Sequence, residues 1–119
     1  FGRNKAPGYI SWSSQNRSQL VRVPAALDEY RRSELRSPDP TANPYLAFTL
    51  MIYAVLYGIE AKLPLQAAAD FNLYKADAAA LTGFKQLPTD LDAACKAAAD
   101  SDFIRKYIPK AILDIYCQK

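Results

Sequence analysis

The chain has no histidine, two cysteines, four glycines and one tryptophan. Each scarcity removes a class of function. Without histidine no Ser–His nucleophile can form within these residues, so Ser11, Ser13 and Ser14 have no base to activate them. Cys95 and Cys117 fall in segments that read as helical, and with no CxxC pair neither a zinc site nor a disulfide framework is expected. A reduced, cytoplasmic setting fits that cysteine usage. Gly2, Gly8, Gly58 and Gly83 are too scattered for a phosphate-cradling loop, so nucleotide binding would have to rest on arginines. The longest apolar run, Tyr45 to Ile59, is 15 residues, against about 20 for a membrane span. It reads as buried protein. The amino end has no apolar core behind a basic start, so no signal peptide is expected.

What is present is one domain's worth of chain, 119 residues with half of them apolar, either a single domain or a piece of a larger one. The net charge of +3 is uneven: positions 1–40 carry seven Lys/Arg against four acids, and the remainder balances eight against eight. Such an excess attracts phosphates or carboxylates of small ligands, and is too weak and too poor in interleaved aromatics for a nucleic-acid surface.

Short β-rich runs at 9–12 (YISW) and 19–24 (QLVRVP) predict two strands joined by a polar connection through Ser13, Ser14, Gln15 and Asn16. A third strand fits 31–36 (RRSELR), which has no helical apolar stripe and ends on Pro38 and Pro40. The segment PDPTANP cannot be regular structure, and it closes as a helix start, with Asn43 as N-cap and Pro44 at the first helical position. From Tyr45 to about Leu63 the residues are apolar on nearly every side, which predicts a central helix enclosed by protein and ended by Pro64. On it Tyr45, Tyr53 and Tyr57 read as core residues rather than a cofactor box, and Trp12 reads as packing. An alanine-rich stretch follows from Leu65 to Leu81, then a turn from Gly83 to Pro88. Thr89 or Asp90 should cap a helix to about Ala99, and Asp102 a last helix through Ile115, kinked at Pro109. The fold class is α+β: short strands of a partial antiparallel sheet over about 9–37, then a largely helical half over about 43–118, in one segment spanning 1–119. Three strands are few for a stable sheet with one polar face, so the sheet is expected to continue in further sequence.

In a strand, Arg32, Glu34 and Arg36 share one face. Two guanidinium groups keep the carboxylate ionised, available as an oxygen ligand for Mg²⁺ or Mn²⁺, while the arginine forks can hold phosphate or carboxylate oxygens. That set suits phosphoryl transfer, where positioning and charge neutralisation supply most of the catalysis. Spacing alone favours a plainer reading, a solvated strand face with ion pairs. Arg17 and Arg22 lie an odd number of residues apart and converge only if the intervening loop folds back.

Taken together, APGYISW (6–12), NRSQLVRVP (16–24), RRSELRSPDPTANPYLAF (31–48) and LPTDLDAACKAAADSDF (87–103) resemble the carboxy-terminal part of the catalytic domain of type I glutamine synthetases, in order and near the family's spacing. The resemblance covers nearly the whole chain from Ala6. It implies that Arg17, Arg22 and Arg32 contact ATP, with Arg17 counted as catalytic. It also implies that Glu34 ligates an active-site Mg²⁺ or Mn²⁺ and that Arg36 grips the carboxylate of substrate glutamate. Tyr74, in FNLY, resembles a tyrosine that some bacterial members adenylylate. The implied partners are ATP, glutamate and ammonia, with neither nucleic acid nor membrane, in a homo-oligomeric ring whose active sites form between subunits.

Two departures bear on the acceptor. Ahead of Ala6-Pro7 the family usually has a glutamate that helps bind and deprotonate ammonium, and this chain has Lys5. The family's nearby glutamate-holding arginine has no counterpart in FGRN. The family's other metal-binding glutamates and its histidine are also absent, so the chain alone is expected to be inactive. Two alternatives stand beside the ligase reading: a γ-glutamyl ligase for another amine, and a non-catalytic binding or assembly module of the same fold.

Overall fold

A computed structural model describes residues 5–117; FGRN and the final two residues, to which some of the expectations above extend, lie outside it. In chain order the elements are β1 (Trp12–Ser13), β2 (Val21–Arg22), a 3-10 turn (Asp28–Tyr30), β3 (Glu34–Leu35), α1 (Pro44–Glu60), α2 (Ala78–Leu81), α3 (Leu91–Ala99), α4 (Asp102–Tyr107) and α5 (Lys110–Cys117). They divide into two compact units, one running to Pro38 and including Gln66–Thr89, the other comprising Asp39–Leu65 and everything from Asp90. The α+β class stands.

In the first unit the sheet order is β1-β2-β3. β2 and β3 run antiparallel as expected, with Val21 opposite Leu35 and Arg22 opposite Glu34. β1 and β2 instead run parallel, Trp12 opposite Val21, so the sheet is mixed. The physical reason lies in the connection. Ser13 Oγ accepts from the amides of Gln15 (3.1 Å) and Asn16 (3.2 Å), and Asn16 Oδ1 accepts from the amide of Ser18 (3.0 Å). These successive side-chain turns carry the chain back to start β2 beside β1, in place of the tight hairpin an antiparallel pair needs. Ser13, expected in a polar connection, is therefore a strand residue with no exposed surface.

The alanine-rich stretch after Pro64 also differs from its expectation, because only α2 of it is helical. Residues 66–73 form an extended strap instead. Its backbone is used by the strand region: the Ala69 amide donates to Trp12 O (2.8 Å), and Trp12 Nε1 donates to Gln66 O (2.8 Å). Committing those groups across the unit leaves them unavailable for helical bonds. Ala69 and Leu73 of the strap are buried. Further on, the Ile10 amide donates to Lys85 O (2.8 Å) and Tyr9 bridges to Gln86.

The second unit begins as expected. Asn43 Oδ1 accepts from the amides of Tyr45 (3.0 Å) and Leu46 (3.3 Å), and Pro44, which has no amide hydrogen to lose, sits at N1. The helix ends at Glu60, where Lys62 takes a left-handed φ of 49° and the Leu63 amide returns to Gly58 O. Tyr53 stacks on Tyr107 of α4 (centroids 4.0 Å apart), and Phe103 sits edge-on to Tyr57 and Tyr107. The expected enclosure of α1 is not supplied by the described residues: Tyr45 is 82 % exposed, and Phe48, Ile52, Val55 and Ile59 are more than half exposed. Asp90 caps α3 through the Ala93 amide. Ser101, not Asp102, caps α4 through the Ile104 amide, because Ser101 has the extended backbone of a cap while Asp102 is already in the helix. Pro109 breaks rather than kinks the last helix, separating α4 from α5 at the buried Ile108.

Candidate functional site

The antiparallel register of β2 and β3 decides which arginine meets Glu34. With Arg22 directly opposite, its Nη1 donates to both oxygens of Glu34, Oε2 at 3.0 Å and Oε1 at 3.3 Å. Arg32, two residues earlier on the same chain, approaches Oε1 from the other side at 3.4 Å. The Glu34 carboxyl is held below the usual carboxylate range, chiefly by the hydrogen bond from Arg22, against the opposing effect of burial and with help from the charges of Arg22 and Arg32. Two cations against one anion leave this wall net positive.

Arg22 is the best buried of the three and has one unmet need. Its Nε is shielded from solvent and has no hydrogen-bond partner among the described residues. A buried donor without an acceptor costs about 1–3 kcal/mol. Arg36, expected on the same face, is held apart from Glu34's guanidinium pair. Its Nη1 donates to Gln19 O (3.4 Å) and its Nη2 to Lys5 O (3.3 Å). Lys5 O also accepts from Tyr74 Oη (2.7 Å), so Arg36 and Tyr74 converge on one carbonyl. Arg17 lies exposed in the β1–β2 connection and makes no hydrogen bond to another described residue. The structure thus brings together Arg22, Arg32 and Glu34, sets Arg36 beside Tyr74, and leaves Arg17 exposed on the loop with no partner among the described residues.

A metal ion is only partly provided for. No three acidic or cysteine side chains lie together among the described residues, and both oxygens of Glu34 already face guanidinium groups. These residues do not make a divalent-cation site by themselves.

The loop bearing Arg17 rests on a buried polar network that the sequence reading missed. Ser13 Oγ donates to Asp70 Oδ1 (2.6 Å), and Ser18 Oγ accepts from the Leu73 amide (2.9 Å). The fully buried Gln19 donates through Nε2 to Phe71 O (2.9 Å) and to Ala69 O. These four contacts cross from residues 13–19 to the strap, 50 to 57 positions away. Only the S-x-x-N-x-S spacing of Ser13, Asn16 and Ser18 could have hinted at an ordered loop.

Comparison with known proteins fits this segment to one family. The family described as "Glutamine synthetase, catalytic domain" matches residues 2–119. The glutamine synthetase of Methanosarcina mazei is 40% identical over 118 residues, which is 97% of this chain and 26% of that protein. That of Methanocaldococcus jannaschii is 36% identical over 116 residues, 96% of this chain and 26% of the relative. That of Staphylococcus aureus is 39% identical over 104 residues, 86% of this chain and 23% of the relative. The chain therefore spans about a quarter of the length of these relatives. With its match running nearly end to end and its small sheet preceding a helical half, the chain belongs to the glutamine synthetase catalytic-domain family, of which it represents the carboxy-terminal part.

Proposed function

We propose that these residues form one wall of an ATP-dependent glutamate–ammonia ligase, contributing contacts to ATP phosphates, to a divalent metal and to substrate glutamate. The observation that carries this reading is the carboxylate of Glu34 clasped between Arg22 and Arg32, two cations on one anion that leave the wall net positive. In a chain of this family, the acceptor with matching charge and geometry is a phosphate oxygen. Arg22 and Arg32 then steady the nucleotide's phosphates, and Arg17, exposed on the loop, swings onto the same anion and stabilises charge as it develops. Arg36 holds the carboxylate of glutamate, giving up one of its two long carbonyl contacts to do so.

In the reaction so assigned, the side-chain carboxylate of glutamate takes the γ-phosphoryl group of ATP, and ammonia then displaces phosphate to give glutamine. The arginines of this wall hold two anionic substrates in line against their mutual repulsion. Mg²⁺ or Mn²⁺, when bound, neutralises phosphoryl charge. Glu34 would be its ligand from these residues, releasing a guanidinium contact to free an oxygen, and the other ligands are not among the described residues. For that reason the isolated chain should bind nucleotide without turning it over, and the full-length protein should work as a homo-oligomer. Tyr74, 42 % exposed with its hydroxyl donating to Lys5 O, is the candidate for adenylylation.

One observation favours a second reading for the acceptor. The main chain of Lys5 is clamped to Arg36 and Tyr74, which puts a cationic residue beside the proposed glutamate grip, where the resemblance calls for glutamate. A cation there repels ammonium and suits either a different amine acceptor or a module that binds without catalysis.

Calorimetric titration of the chain with Mg-ATP tests the proposal. Removing a charge-assisted contact costs about 1.5–3 kcal/mol, roughly a 10- to 100-fold loss of affinity. Arg22→Ala and Arg17→Ala should each show such a loss, while Lys110→Ala in the other unit should not. Equal affinity in all variants would remove the nucleotide role. Turnover of ATP and glutamate by the isolated chain would overturn its assignment as an incomplete site.

A further inference from the structure

The two cysteines, 22 positions apart in sequence, meet in the second unit. Cys95 lies in the middle of α3, and its Sγ donates to Tyr116 O at 3.7 Å, the carbonyl of the peptide that leads into Cys117 at the end of α5. Both thiols are free and only partly buried. They line one open cleft of about 530 Å³, together with Leu91, Asp92, Lys96 and Tyr116. Nothing in the proposed ligase wall uses this cleft, since every residue of that wall belongs to the other unit.

We infer that Cys95 and Cys117 are a dithiol modification site that closes reversibly to an intramolecular disulfide on encounter with a low-molecular-weight disulfide such as oxidised glutathione. Three features carry this. Both cysteines line the same cleft, and Cys95 Sγ already touches the peptide that leads into Cys117, so α3 and α5 are packed together where the bond would form. The cleft admits a peptide-sized reagent. Lys96 and Asp92 both line it, one charge of each sign for the carboxylate and ammonium groups of such a reagent.

The exchange balances as follows. The Cys95 thiolate attacks one sulfur of the reagent, breaking its S–S bond, expelling one thiolate and leaving a mixed disulfide on Cys95. The Cys117 thiolate then attacks the Cys95 sulfur, forming the Cys95–Cys117 bond and expelling the second thiolate. The protein loses two electrons and two protons, and the reagent gains both as two thiols. Burial, then contact with Cys95 and with the charge of Asp114, pushes the Cys117 thiol up. The product ties α3 to α5 across α4.

The test is to expose the folded chain to oxidised glutathione and follow its intact mass and its thiol titre. The expected result is loss of both titratable thiols with a mass lower by two hydrogens, a peptide map joining the Cys95 and Cys117 segments within one chain, and full reversal by dithiothreitol. Cys95→Ser and Cys117→Ser should stop at a single glutathione adduct. Closure should be several-fold faster in the folded chain than in urea. A wild-type chain that only accumulates glutathione adducts, that crosslinks between chains, or that closes no faster folded than unfolded would overturn the inference.

Discussion

Gln19→Leu is the most searching perturbation of the architecture, because it removes two donors from a place that water cannot reach. Gln19 has no exposed surface, and its Nε2 serves the carbonyls of Ala69 and Phe71 while its Oε1 accepts from Ser18 Oγ. Leucine fills a similar volume, so packing is nearly conserved and the loss is one of hydrogen bonding. Each carbonyl left without its donor costs about 1–3 kcal/mol, about 2–6 kcal/mol for the two. With a urea dependence of roughly 1 kcal/mol per molar for a unit this small, the unfolding midpoint should fall by about 2 M or more. Trp12 is the natural reporter, since its Nε1 is bonded to the same strap at Gln66 O. Gln19→Glu adds a diagnostic. It sets a carboxylate against two carbonyl oxygens, so its folded-state pKa rises and its stability deficit grows as pH climbs through that value, whereas Gln19→Leu has no such dependence. Gln15→Ala, on the exposed side of the same loop, should stay within about 0.5 kcal/mol of wild type. If Gln19→Leu is as silent as Gln15→Ala, the buried network does not hold the arginine-bearing loop to the strap.

Glu34 makes the acid limb of stability a readout of the site. Its folded pKa lies below its ordinary value of 4.5. Its contribution is therefore present above that value and is lost as pH falls through the folded pKa. Urea midpoints should drop more steeply below about pH 4.5 in wild type than in Glu34→Gln, and parallel curves would mean that the Arg22 contact does not persist in solution. In the other unit, Asn43→Ala strips the cap from two amides. It should cost about 0.5–2 kcal/mol, seen as a lower thermal midpoint by circular dichroism at 222 nm, with Asn43→Asp close to wild type. An unchanged midpoint for Asn43→Ala would show that α1 does not depend on its cap.

The start of α1 at Asn43-Pro44, the cap of α3 at Asp90 and the break at Pro109 could all be read from the chain, because each rests on atoms within a few residues of one another. The same locality explains the near miss at Ser101. Ser101 and Asp102 are adjacent capping residues, and only backbone geometry chooses between them. Arg32 beside Glu34 was equally legible, since alternate residues of a strand share a face. Arg22 was not, because its place opposite Glu34 is a matter of register, 12 positions away. The alanine-rich strap misled for a related reason: alanine favours helix only while its backbone groups have no better partner, and here Trp12 and Gln19 provide one.

By itself, then, the sequence determined the class of the fold, the helix boundaries set by caps and prolines, the family, and the residue types available for an anion-binding wall. Tertiary structure alone decided that β1 runs parallel to β2, that Arg22 rather than Arg36 clasps Glu34, that Ser13 and Gln19 bind a strap some 50 residues away, and that Cys95 meets Cys117. The division follows from range. Capping and turn preferences are fixed by bonds that close within four residues, whereas pairing depends on which distant groups the folded backbone brings within about 3 Å, and no local pattern encodes that.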